Sequence, residues 1–452
     1  MSETRSHSVS RALRLPSSAA LVGPHALLGV VAAVTLVAEA AARESGSSLW
    51  MLVAFAVAAV CFVGVWKRQA ELALGPLLAL ALAFQLAWIA LHLHLDVTSF
   101  DSAELYRGWG NELLDGRYPD SQYPPGAVLL FGLDAWLGGG ATRTSHAFVM
   151  VPFQLLTVAA IWALRTPFAP WLAALVALWP ANAFFSEFRF DPVPTALLAC
   201  GLVAALRGRW GFSGALLGIG AATKWFPGLT FGFLAVWLLV SGERRPLARH
   251  AAAFVASFGL LHVPFLLWSP EEASFAYRYF SDQGLTGESV WYVLLAPLGL
   301  ARVDLEAFWL PADVGSWADP LAVTIQALAL GVLFVCLLRE RSRLVPAIAL
   351  SALAPAVFLL TNRVFSPQYL VTILAVWAIA GALVVDSRRN QLVLGLLAMA
   401  ATAANAFVYP YTLFQNGLWR LASAALFGVA VGTTVWLVRC AERVPTDRGR
   451  VA

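Results

Sequence analysis

Residues 72–126 read LALGPLLALALAFQLAWIALHLHLDVTSFDSAELYRGWGNELLDGRYPDSQYPPG. Up to Leu95 the stretch is apolar and long enough to cross a hydrocarbon layer of about 30 Å as a helix. At Asp96 it turns abruptly polar. The loop holds Asp96, Asp101, Glu104, Glu112, Asp115 and Asp120, with Arg107 and Arg117 among them and Tyr106, Trp109, Tyr118 and Tyr123 between. A membrane span running into the longest strongly polar segment of the chain decides the fold class.

The pattern repeats outward from there. The 452 residues are 60% hydrophobic and 12% charged, about half the charge of a soluble globular chain. Apolar runs recur from end to end without the alternation of a β-barrel strand. The reading is an all-α polytopic membrane protein of about 12 to 14 transmembrane helices with extracytoplasmic juxtamembrane helices. Spans are predicted near 21–41, 49–66, 72–95, 144–164, 168–186, 192–206, 251–268, 319–338, 344–361, 370–385, 391–409 and 418–438, with a hairpin over 211–237. Residues 125–137 begin at two prolines and are short for a span. They are expected to lie along the interface, with Tyr123 and Trp136 at headgroup depth. One domain covers 21–440, between an arm at 1–20 and a tail at 441–452.

Charge orients the chain. One set of loops carries about 20 basic and 7 acidic groups, the other about 10 and 19, and the basic set faces the cytoplasm. Both termini are therefore expected inside, in a plasma membrane, with the long loops 96–143 and 269–319 outside. The first span contains Ala38-Glu39-Ala40, similar to a signal-peptidase site, but its length favours an uncleaved helix. The basic pI of about 9.0 reflects these loop clusters and gives no reason to expect nucleic acid. Cys61, Cys200, Cys336 and Cys440 form neither a disulfide pattern nor a CxxC site.

Ionisable groups near a bilayer need water, a partner or a ligand. Four constellations qualify, all on the outer side of this topology: the loop with Asp101, the tip Glu187–Asp191, Lys224, and the turn Arg363–Tyr369. Arg278 is a weaker fifth. Each has a plainer reading. The loop carboxylates can be solvated, Lys224 can snorkel, Asp191 can cap a helix, and Arg363 can anchor to headgroups. Short inner loops leave no room for a dinucleotide fold, and there is no Walker loop, GxSxG, HExxH or Cys/His ligand spacing. An enzyme of this design takes its donor from the membrane.

Three segments carry a resemblance. The loop with Asp101 and GRYPDSQYPPGAVLLF, then FDPVPTALLACGLVAALRGRWGFSGALLGIGAATKWFPG, then NRVFSPQYL, occur in the order and topology of the GT-C membrane glycosyltransferases. The likeness is closest to glycosyltransferase family 87, the polyprenol-phosphate-mannose-dependent mannosyltransferases, and spreads over most of residues 96–375. It implies an inverting transferase that moves a hexose, mannose first, from a polyprenyl-phosphate sugar to a lipid or glycan acceptor in the cell envelope. Asp101, with Asp96 as the alternative, would be the general base. Lys224, Arg363 and Arg278 would bind the donor phosphate. Asp191, Gln368, Tyr369 and Tyr123 would contact sugar or acceptor. No resident cofactor or metal ligand set is implied, with a divalent metal left open. Another sugar such as arabinofuranose, a protein acceptor, and a transporter or flippase of lipid-linked glycans stand as alternatives.

Overall fold

A computed structural model describes residues 18–67, 72–139, 142–303, 312–411 and 418–444. Most of the arm (1–17) and of the tail (445–452) lies outside them. Nearly all of the described chain is helix. α1 (Ser18–Ser45), α2 (Leu49–Lys67) and α3 (Leu74–His94) lead to a π-helical turn at Asp101–Tyr106. That turn continues directly as α4 (Arg107–Leu114). There follow α5 (Pro125–Leu137), α6 (Thr142–Trp162), α7 (Ala169–Leu178), α8 (Pro180–Phe188), α9 (Pro192–Leu206), α10 (Trp210–Thr223), α11 (Phe226–Val240) and α12 (Arg244–Trp268). The remainder is α13 (Pro270–Asp282), α14 (Val290–Leu295), α15 (Ala318–Arg339), α16 (Leu344–Thr361), α17 (Tyr369–Val384), α18 (Arg388–Val408) and α19 (Leu418–Glu442). Among the described residues the only sheet is a small antiparallel pair, β1 (Ala301–Val303) on β2 (Ala312–Val314).

Nine described helices are long and apolar enough to cross a membrane, ten if α7 and α8 count as one bent span. The expected 12 to 14 is approached only by including the shorter apolar helices α5, α9, α11 and α17. The span predicted over 168–186 is bent by 62° between α7 and α8. The cause is local. Pro180 brings no N–H and crowds the preceding backbone, so Trp179 is extended at φ −69°, ψ 124°.

Burial separates inner from outer helices. α17 and most of α16 are enclosed, whereas α12 is almost wholly exposed on its apolar surface, as a lipid-facing helix would be. α12 is held by close packing on α10. A Cβ on Gly214 would stand 2.0 Å from the His250 carbonyl oxygen, so only glycine lets the backbones meet. The same device fixes the start of α5, where a Cβ on Gly126 would lie 2.5 Å from the carbonyl of Ala222. This contact seats the Pro-Pro-Gly turn against the end of α10, next to Lys224. α5 is consequently not an interfacial helix: most of its residues are buried, and Tyr123 is buried while Trp136 stays exposed. The reason is that α4, α6, α10 and α12 all pack on it.

Candidate active site

The site gathers where α3, the π-helical turn, the α8–α9 corner and the α10–α11 corner meet. α3 ends in a left-handed turn at Asp96 (φ 50°), with Val97 N–H on the His92 carbonyl and Asp96 N–H on that of Leu93. Asp tolerates this conformation, and the double bond is a Schellman cap. Asp96 is thus an exposed helix-ending residue. Five residues on, Asp101 is buried. The wider π turn sets Tyr106 on the buried side with it, while Glu104 and Arg107 face solvent.

Asp101 forms an ion pair with Arg189, through Oδ2 and Nη1, and the same Nη1 donates to Ser99 Oγ at 3.3 Å. Arg189 closes α8 in extended backbone (φ −128°, ψ 149°), which turns its side chain inward before Asp191 starts α9. Asp191 makes no capping bond. Its two oxygens accept from Lys224 Nζ at 2.8 and 2.9 Å. Lys224 is 6% exposed and so does not snorkel. Its ammonium lies over the rings of Phe190 (4.8 Å), Tyr369 (5.1 Å) and Tyr123 (5.6 Å), and each ring face adds cation–π attraction. The two pairs form one site: Arg189 and Asp191 are two residues apart, and the Arg189 charge acts on Lys224.

An aromatic wall closes one side. Tyr106 stacks on Phe131 with centroids 4.4 Å apart, and Phe190 meets Tyr123 edge-on at 4.7 Å. Burial pushes the Tyr123 phenol well above its ordinary range, so it stays a neutral donor. On another side the loop before α14 is tied to the turn before α17: Thr286 N–H bonds the Arg363 carbonyl at 3.1 Å, and Phe365 N–H bonds Thr286 Oγ1 at 3.2 Å. Glu288 lies on the loop that this clasp holds. Desolvation pushes the Glu288 carboxyl up to about 8, partly offset by Arg189.

The structure therefore brings together Asp101, Asp191, Lys224, Tyr123 and Tyr369. It sets Arg278 apart, exposed and donating to the Glu271 carbonyl. Arg363 lies half-buried with its guanidinium 3.9 Å from Asp319. Gln368 is buried, and its Oε1 accepts from Ser366 in its own turn. Two residues were not assigned from the sequence. Arg189 lies within the tip Glu187–Asp191, and its alternation with Phe188 and Phe190 is the available signal. Glu288 had no signal, because the clasp with Arg363 and Phe365 that holds its loop is a tertiary contact.

A sequence model of glycosyltransferase family 87 matches residues 122–367, more than half of the chain. No curated protein matches it. The matched region includes Tyr123, Arg189, Asp191, Lys224, Glu288 and Arg363 but begins beyond Asp101, so the place of Asp101 in the site rests on its contacts.

Proposed function

The chain belongs to glycosyltransferase family 87, as a multi-pass membrane glycosyltransferase, and from that premise we propose that it transfers a hexose, mannose first, from a polyprenyl-phosphate sugar to a lipid or glycan acceptor on the extracytoplasmic side. In this reading Asp101 takes the proton from the acceptor hydroxyl as its oxygen attacks the anomeric carbon. The bond from that carbon to the phosphate oxygen breaks on the opposite face, so the configuration inverts. A phosphate monoester is a good leaving group, and general-base help of roughly 10²–10⁴-fold suffices. Lys224 and Arg189 supply fixed positive charge for the departing phosphate. Tyr123 and Tyr369, whose rings lie against Lys224, would contact sugar hydroxyls, with Glu288 on the adjoining loop a further candidate.

The observation that carries this reading is the Asp101–Arg189 pair beside the Asp191–Lys224 pair at one end of an apolar helix bundle. A carboxylate and two cations at the ends of apolar helices are what a lipid-phosphate donor and a hydroxyl acceptor require. The test is transfer of labelled mannose from polyprenyl-phosphate mannose by purified protein, with the anomer of the product read by NMR. Asp101→Asn is expected to lose about 10²-fold or more in transfer. A parental rate in Asp101→Asn would place the base elsewhere, and a retained anomeric configuration would rule out single displacement.

A further inference from the structure

We propose that Arg189 holds Asp101 out of action until the phosphate of the lipid donor replaces the carboxylate on its guanidinium, so that donor binding itself frees the base. This rests on the donor and base assigned above. In the structure Asp101 Oδ2 is ion-paired with Arg189, and an adjacent cation favours the ionised carboxylate and so weakens it as a proton acceptor. Arg189, by contrast, is underused. A guanidinium carries five N–H donors in a planar fork. Nη1 serves both Asp101 and Ser99, while Nε is buried with no acceptor, on a side chain only 6% exposed. A buried cationic donor without a partner marks a place for an anion.

The neighbours do not fill that place. Lys224 is matched by both oxygens of Asp191. Glu288 makes no ion pair with Arg189 among the described residues. Among the described residues Asp101 is the carboxylate in contact with Arg189, through one nitrogen; the Asp191 charge acts on it without a contact, and the Tyr409 ring lies 6.0 Å from the guanidinium. A phosphate offers two or three oxygens to the fork and displaces a single carboxylate oxygen. The released Asp101 stays tethered by the π-helical turn, free to take the proton of an acceptor hydroxyl that arrives on the face of the sugar opposite the phosphate. Donor binding then precedes productive acceptor binding.

The experiment titrates purified full-length protein in detergent with farnesyl phosphate, farnesol and inorganic phosphate, following binding by calorimetry. Wild type should prefer farnesyl phosphate over farnesol and ignore inorganic phosphate, which lacks the apolar tail. Tight inorganic phosphate binding would mean an ordinary anion site and would overturn the lipid-specific exchange. Asp101→Asn removes the competitor and should bind farnesyl phosphate about tenfold more tightly, with farnesol unchanged. The neutral pair Asp101→Asn with Arg189→Gln, which buries no lone charge, should lose the preference for phosphate over alcohol. Unchanged or weaker phosphate binding in Asp101→Asn overturns the exchange, as does a double variant that keeps the preference. Should Asp101→Asn alone not fold, the double variant decides. If Asp101→Asn loses transfer without gaining phosphate affinity, the base stands and the exchange falls. If wild type does not distinguish phosphate from alcohol, the donor assignment falls with it.

Discussion

Two buried charge networks lie side by side in this molecule and are built differently. In the first, Glu39 of α1, His92 of α3 and Glu187 of α8 form a chain, with His92 Nδ1 2.6 Å from Glu187 and Nε2 3.0 Å from Glu39. Tyr411 donates to the second Glu39 oxygen at 2.7 Å, and Arg43 to the first at 2.8 Å. Both oxygens of Glu39 and both nitrogens of His92 are matched; the one buried donor without an acceptor is Nη2 of Arg43, whose side chain is partly exposed. In the second, Arg189 holds Asp101 with one nitrogen and leaves Nε unmatched in a fully enclosed position. Glu187 and Arg189 are two residues apart, so the contrast is not one of location. A matched network ties helices together. An unmatched one keeps a place for something that binds.

Removing the centre of the matched network should have the largest effect on the folded state. His92→Ala removes the shared partner of Glu187 and Glu39 in the interior and is expected to cost about 3–5 kcal/mol, seen as a lower melting temperature in detergent. The folded fraction should still bind farnesyl phosphate as the parent does. A variant that melts normally but no longer binds would reverse the contrast and make His92 part of the site.

Asp101→Asn should show the complementary profile. Its loss of about 10²-fold in transfer amounts to about 2.7 kcal/mol of transition-state stabilisation. Secondary structure and helix packing should persist, because α3 and α4 are anchored by other contacts. Complete unfolding of this variant would mean that the Asp101–Arg189 pair is as structural as the first network.

A smaller effect is expected at Glu288. Its carboxyl is pushed up to about 8 in the folded protein from an ordinary value of 4.5. The folded state therefore holds its proton more tightly than the unfolded state. This part of the stability is complete below about pH 4.5 and lost as pH rises to about 8. Glu288→Gln should flatten that dependence in melting curves taken across this window. An identical slope in parent and variant would show that Glu288 is solvated like an ordinary carboxylate. The smallest effect belongs to Asp96→Asn. Asn adopts the same left-handed turn, so stability should change by no more than about 0.5 kcal/mol and transfer should stay near parental. A large loss of transfer there would move the base to Asp96.

Much of this was legible along the chain. Apolar length and charge clusters mark the helices. The hairpin with Lys224 at its corner follows from Trp225-Phe226-Pro227. Where reading failed, the missing quantity was a neighbour. The expectation of Tyr123 at the interface rests on a run that is short and starts at two prolines, yet Gly126 lets the turn press against α10 and carries Tyr123 inward. Glu39 sat in a pattern similar to a cleavage site, and only the packing of α1 on α3 and α8 shows it to be a fully buried partner of His92 and Tyr411.

By itself, then, the sequence determined that this chain is a polytopic helical membrane protein and which segments bring ionisable groups to the helix ends, because hydropathy and helix-breaking residues are local properties. Which charge meets which was decided by tertiary structure alone. Asp101 and Lys224 were both visible in the sequence, but their partners Arg189 and Asp191 lie 88 and 33 residues away along the chain and reach them only when the α8–α9 corner packs between α3 and α10. Ion pairing in a low-dielectric interior depends on distance and on competing partners, and neither is written in the order of residues.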